Sequence, residues 1–231
     1  MRIKVLLSPT NKELSIQNQS IINSFIHRAI GPNNPYHDAK NNYSVSSLQG
    51  GKWIPNTKNI SFKSGGYITI SSLDKKFIDN ILVGLYTTPF HDDISVNGIE
   101  FIDEQFYNGW NHFATLSPFL IKEYSSKKEY KFLTLNDDNF ETKLKSYLIN
   151  KISKINPKLD LTDFDIKIED KSKGKVKKIM VKNVINHANQ VQLSIQCGKQ
   201  VAELLYNIGI GQSTGSGFGT IYKTENHNLY R

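Results

Sequence analysis

The 231-residue chain has a single cysteine, Cys197. No intramolecular disulfide can form, and a cysteine-rich zinc site is excluded. A reducing compartment fits this, and the chain is expected in the cytoplasm. Long apolar runs are also missing. No stretch approaches the ~18 residues of a membrane span, and the apolar run within residues 1–14 is far shorter than a signal-peptide core. No membrane partner is expected. Arginine is nearly absent. Only Arg2, Arg28 and Arg231 occur, so 26 of the 29 basic residues are lysine. Lysine holds phosphate as a mobile point charge and reads bases poorly. The net charge of +8 and pI near 9.3 therefore favour a polyanionic partner held by its backbone. The same excess also describes a lysine-coated soluble surface.

What is present is enough apolar residue (38%) for real cores, laid out in a repeated pattern. Ile3–Leu7 reads as a strand. Ile22, Phe25, Ile26 and Ala29 follow at helical spacing, predicting a helix over 19–30 that Gly31-Pro32 ends. Tyr43–Leu48 and Ile60–Ile70 read as strands, residues 74–86 as a second helix, and Val96–Ile102 as a strand. The order is β-α-β-β-α-β. It then recurs. Tyr130–Leu135 reads as a strand, and Phe140, Leu144, Tyr147, Leu148 and Ile155 mark a helix stopped by Pro157. Phe164, Ile166 and Ile168 alternate as in a half-buried strand. Val176–Val184 and Val191–Cys197 read as a hairpin with residues 186–189 at its tip. Val201, Leu204, Leu205 and Ile208 mark a last helix, before a strand holding Phe218, Ile221 and Tyr222. The fold class is α+β, with two tandem ferredoxin-like domains. The expected division is residues 1–118 and 119–231.

The most specific local signal is Gly209-Ile210-Gly211-Gln212-Ser213-Thr214-Gly215-Ser216-Gly217-Phe218-Gly219. Glycine permits positive φ and close approach of a phosphate to backbone amides, while Ser213, Thr214 and Ser216 add hydroxyls. The stretch lacks the lysine of a P-loop. It also runs from helix to strand, the reverse of a dinucleotide fingerprint. It is far longer than a plain connection of ~2–6 residues.

This segment, following the last helix of a tandem ferredoxin-like pattern, resembles the RAMP superfamily of CRISPR-associated proteins. More narrowly, the chain resembles the CRISPR repeat-processing endoribonucleases, the Cas-six family. The resemblance rests on Arg2-Ile3-Lys4-Val5, the helix Ser24-Phe25-Ile26-His27-Arg28-Ala29-Ile30, the junction Leu116-Ser117-Pro118 and the loop at 209–219. It implies a metal-independent endoribonuclease acting on precursor CRISPR repeat RNA. In that reaction a ribose 2′-hydroxyl attacks the neighbouring phosphodiester, leaving a 2′,3′-cyclic phosphate and a 5′-hydroxyl. Such chemistry needs a base, an acid and a cation at the phosphorane. Histidine suits both proton roles.

The resemblance assigns His37, just after the first helix, as general acid. His27, projecting away from the apolar face of that helix, is the general base, and Lys40 is the stabilising cation, with Lys52 as its alternative. The loop residues Gly209, Gly211, Ser213, Thr214, Gly215, Ser216, Gly217, Phe218 and Gly219 are expected to contact RNA. So are Lys173, Lys175, Lys177 and Lys178, of which 173, 175 and 177 alternate toward one side of a strand. No metal or other cofactor is expected. The nearest ligand cluster, His91-Asp92-Asp93, is consecutive, and consecutive side chains seldom converge on one ion. Other effector subunits and a second copy of the chain are candidate partners. Two alternatives stand beside this reading. One is a catalytically inactive RAMP-type RNA-binding subunit; the other is a small-molecule enzyme or regulatory module on the same versatile fold.

Overall fold

A computed structural model describes residues 1–32, 36, 42–126, 129–181 and 183–224. His37, Lys40 and Lys182 lie outside the described residues.

The first unit is built from β1 (Arg2–Leu7), β2 (Glu13–Ser15), α1 (Gln19–Ile30), β3 (Tyr43–Val45), β4 (Lys52–Trp53), β5 (Asn59–Ser61), β6 (Gly66–Ser72), α2 (Lys75–Leu85) and β7 (Val96–Ile102). Its main sheet has the antiparallel order β3-β6-β1-β7, and β2, β5 and β4 form a small accessory sheet. Ile3, Val5 and Leu7 alternate inward along β1 and meet Ile22, Phe25 and Ile26 of α1 in one core. The helical spacing read from sequence is the buried stripe. The side chain of Asp74 accepts the Lys76 amide and starts α2. A Cβ at Gly84 would collide with the Ala29 carbonyl, so glycine is what lets α2 lie against α1.

The second unit comprises β8 (Gly109–Thr115), β9 (Lys122–Tyr124), β10 (Tyr130–Phe132), α3 (Phe140–Ile155), β11 (Asp165–Ile168), β12 (Lys175–Val181), β13 (Val184–Gln190), β14 (Gln192–Cys197), α4 (Lys199–Ile208) and β15 (Ile221–Lys223). Its main sheet runs β11-β14-β8-β15. Counted within each unit, both sheets have the strand order 2-3-1-4. The protein is two tandem ferredoxin-like units.

The first strand of the second unit differs from the sequence reading. It is β8, whose Phe113 belongs to the second core. Tyr130–Phe132 is instead half of an inserted hairpin, with β10 paired, among the described residues, only to β9. The polar residues Asn111 and His112 masked β8 as a strand. We therefore propose a division between Ile102 and Gly109 in place of one at residue 118. The helix stripe in α3 is Phe140, Leu144, Leu148 and Ile152, with Tyr147 and Ile155 packed at its margin.

The long hairpin also differs. β12 pairs with β13 from Lys175↔Gln190 to Val181↔Val184, so residues 186–189 lie within a strand and not at the tip of the hairpin. Asn183 takes φ +66° there, a conformation asparagine tolerates better than most residues. Asn186 and Asn189 resemble turn residues in sequence but are buried. The Asn189 amide group donates to the Leu133 carbonyl, and its side-chain oxygen accepts the Leu135 amide.

The two units are fastened across their seam. Arg2, 2% exposed, sends its guanidinium from β1 to the carbonyls of Ile221 and Tyr206 and lies over the Tyr206 ring. Burial lowers its pKa to about 10, which still leaves it charged at neutral pH. The Ser71 hydroxyl donates to the Asn207 carbonyl, and Gln49 donates to the Leu116 carbonyl.

Candidate nucleic-acid interface

The glycine-rich segment is not the open phosphate cradle expected from sequence. Gly209, Ile210, Gly211, Thr214, Gly215, Gly217, Phe218 and Gly219 are buried; only Ser213 is exposed, with Gln212 and Ser216 half-buried. Several of its amides serve the protein itself. Ile210 donates to the Gly219 carbonyl, Gln212 to Leu120, Gly219 to Pro118 and Ser216 to Ser213. Glycine is needed because the segment folds against other backbone. A Cβ on Gly219 would strike the Ile210 carbonyl, and one on Gly211 would sit 2.7 Å from the Leu120 oxygen. Both residues have positive φ.

The segment is also a strut between the units. The Thr214 hydroxyl donates to the Tyr43 carbonyl at 3.0 Å, and Gly217 lies against Gln19 and Ile22 of α1. Lys151 pins it from α3, donating to the carbonyls of Gly209 and Gly211 at 2.9 and 3.0 Å. Desolvation lowers the Lys151 pKa to about 7. Sequence reading missed Lys151, because a lysine in a polar helix looks like surface charge.

His27 stands in the last turn of α1, half-buried, on the stripe Gln19, Asn23 and His27 at four-residue spacing. Gln19 Oε1 and Asn23 Oδ1 are shielded from solvent and have no hydrogen-bond partner among the described residues. Beside position 37, Tyr36 donates its hydroxyl to Asp74 at 2.8 Å and meets the Phe77 ring edge-on. The carboxylates of the His91 cluster are engaged otherwise: Lys12 reaches both Asp92 and Asp93. No group of three His, Cys, Asp or Glu among the described residues could hold a metal ion.

The expected lysine row divides. Lys173 lies in a tight turn before β12 and pairs with Asp170 at 3.2 Å. Lys171 pairs with Glu141. Lys175 and Lys177 share one face of β12, while Lys178 projects from the other. All three are exposed. The face bearing Lys177 continues to Ile179 and Val181, which pack on Leu120, Ala188 and Phe218. The hairpin is thus seated on the glycine-rich segment by its distal half, leaving the lysines at its foot free to meet solvent.

Between the units lies a cleft of about 580 Å³ that includes Arg2, Lys4, Tyr67, Tyr222 and Lys223 in its walls. A smaller one of about 260 Å³ adjoins it at the hairpin foot, lined by Lys173 and Lys175 among others. The two share Thr115, Gln190 and Tyr222, so they form one groove from the seam to the basic hairpin. Sequence reading missed the seam half, since Lys4 and Lys223 are remote in the chain.

The model of the family described as "CRISPR associated protein Cas6, C-terminal" matches residues 102–222, over half of the chain. The chain belongs to the Cas6 family. No curated protein sequence matches it. Among solved structures, it is similar to one described as CRISPR associated protein Cas6, with TM-score 0.80 and 20% identity over 97% of this chain and 99% of that one. It is also similar to a Cas6-related protein from Pyrococcus furiosus, with TM-score 0.83 and 22% identity over 98% and 99% of the two chains. A third, described as an RAMP protein binding different RNA substrates, gives TM-score 0.83 and 22% identity over 97% and 100%. At these identities the likeness speaks to fold, and the shared fold runs the length of this Cas6-family chain. No helix among the described residues is long and apolar enough to cross a membrane.

Proposed function

We propose that the protein binds precursor CRISPR repeat RNA and cuts it within the repeat. Membership in the Cas6 family carries this reading. The groove between the units supports it, because it joins backbone-holding lysines to a seam rich in aromatic and polar side chains. In this reading the RNA lies along the groove, with Lys175 and Lys177 on its phosphates.

The cut is an internal displacement. The 2′-oxygen forms a new bond to the adjacent phosphorus as its proton passes to His27. The bond from phosphorus to the 5′-oxygen breaks as His37 supplies a proton to that oxygen. Lys40 holds the added negative charge of the phosphorane. One proton is taken and one is given, and no metal is required. His27 sits where the carbonyl end of α1 stabilises the imidazolium that proton uptake creates. The glycine-rich segment presents only the Ser213 side chain fully to solvent; its buried glycines hold the frame.

The test is incubation of purified protein with repeat RNA in EDTA. Cleavage to a cyclic phosphate is the expected result, and a 2′-deoxy substitution beside the cut should block it. His37→Ala should slow cleavage by about 100-fold or more, in the range of lost general acid catalysis, with binding retained. Binding without any cleavage would instead identify an inactive RAMP-type subunit. Absence of binding would overturn both.

A further inference from the structure

A second surface lies outside the groove. On the β9–β10 hairpin, the pairs Lys122↔Phe132 and Tyr124↔Tyr130 put four side chains on one face. The rings follow one another at nearly even spacing. Tyr124 to Tyr130 is 5.6 Å between centroids, and Tyr130 to Phe132 is 5.4 Å. The row then crosses to β13, where His187 stacks on Phe132 at 5.5 Å with planes 8° apart. Lys122 Nζ lies 4.1 Å over the Tyr130 ring, and Lys178 stands directly across from His187 on the same face of its hairpin.

Two observations say that this row is not simply core. Tyr124 is 59% exposed and Tyr130 37%, although exposing aromatic surface to water is unfavourable. The row is also held rigid from behind. Gln212 of the glycine-rich segment accepts the Lys122 amide, and Lys143 pairs with Glu123 on the reverse face. A fixed row of rings flanked by cations is what an unpaired nucleic acid strand requires: a π-face for each base and positive charge for the intervening phosphates. A protein partner is less well matched, because lysine is depleted at the cores of protein interfaces.

We propose that Lys122, Tyr124, Tyr130, Phe132, His187 and Lys178 form a stacking platform for a single-stranded segment of the RNA, separate from the groove between the units. The platform rests on the reading of this protein as an RNA binder. Stacking tolerates any base, so the platform would hold flanking RNA without selecting its sequence. It would also keep a cut product attached when the groove contacts loosen.

The test compares two probes of equal length: an oligoadenylate carrying 2-aminopurine, and an abasic ribose-phosphate oligomer. Wild-type protein should bind the oligoadenylate about tenfold more tightly than the abasic chain, as expected for one or two stacked bases, and should quench its fluorescence. Tyr124→Ala with Tyr130→Ala should erase both the preference and the quenching while leaving the abasic affinity unchanged. Tyr130→Phe should restore them. Tyr124→Ala alone, at a ring already mostly in water, should halve the quenching with an unchanged melting temperature. If wild type binds both probes but the tyrosine variants keep the preference, the platform is wrong and the RNA-binding reading stands. If wild type binds neither probe nor repeat RNA, the RNA-binding reading itself falls.

Discussion

The glycine-rich segment and the lysine-bearing hairpin carry opposite lessons about what a sequence motif is for. Both suggest phosphate binding when read as strings. In the fold, the glycines of 209–219 are spent on the protein's own carbonyls, at Ile210, Leu120 and Pro118. Lys175, Lys177 and Lys178 of the hairpin remain exposed. Glycine permits close approach without saying what approaches. Lysine carries its desolvation cost with it, so an unpaired lysine stays at the surface unless a partner holds it.

The comparison is broken most severely at Gly219. Gly219→Ala places a Cβ on the Ile210 carbonyl at φ +67°, a rigid backbone collision with no side chain to yield. We expect a loss of about 4 kcal/mol or more, in the range of strained and overpacked sites, seen as a collapsed urea midpoint. RNA binding should disappear only with the fold. An unchanged midpoint would mean that the segment is looser than described.

Lys151→Met should cost about 1–3 kcal/mol by leaving two loop carbonyls short of a donor. Its pH signature is distinctive. The folded pKa near 7 lies below the ordinary value of 10.5, so the unfolded chain binds more protons between those values. Stability from this group is present above about pH 10 and is lost as pH falls toward 7. Wild type should therefore gain stability from pH 7 to 9 more steeply than Lys151→Met does; equal slopes would show that the ammonium is well solvated.

Substitution on the hairpin should show the reverse pattern. Lys175→Ala with Lys177→Ala should change the melting temperature little, yet lower the slope of log affinity against log salt by about 1.5–2. An unaltered slope would remove these lysines from the RNA path. Smallest of all, Ser213→Gly should shift stability by no more than about 0.5 kcal/mol, because the residue is exposed and already in a left-handed conformation.

Much of the architecture was legible. The stripes Ile22-Phe25-Ile26-Ala29 and Val201-Leu204-Leu205-Ile208 are local patterns, and burial follows them. The misreadings came where polar residues serve distant partners. Asn189 looks like a turn residue because its partners, Leu133 and Leu135, are remote in the chain, whereas Asn186 bonds within its own hairpin to Ile179 and Val184. Strand β8 was hidden because His112 and Asn111 interrupt its apolar pattern; His112 meets Ser194 on β14 and Glu169 just past the end of β11. For the interface, charge on the hairpin was legible, whereas the groove was not, since Lys4 and Lys223 meet only after both sheets close. The glycine segment was recognised as special. Its role was misjudged because Leu120, Lys151 and Pro118, which fill its space, lie roughly 60–100 positions away.

Amide hydrogen exchange with and without repeat RNA tests the division of labour most directly. The account predicts slow exchange across 209–219 in free protein, unchanged by RNA, with new protection at the foot of the 175–190 hairpin and along the groove. Fast exchange throughout 209–219 that becomes slow only when RNA is added would contradict it.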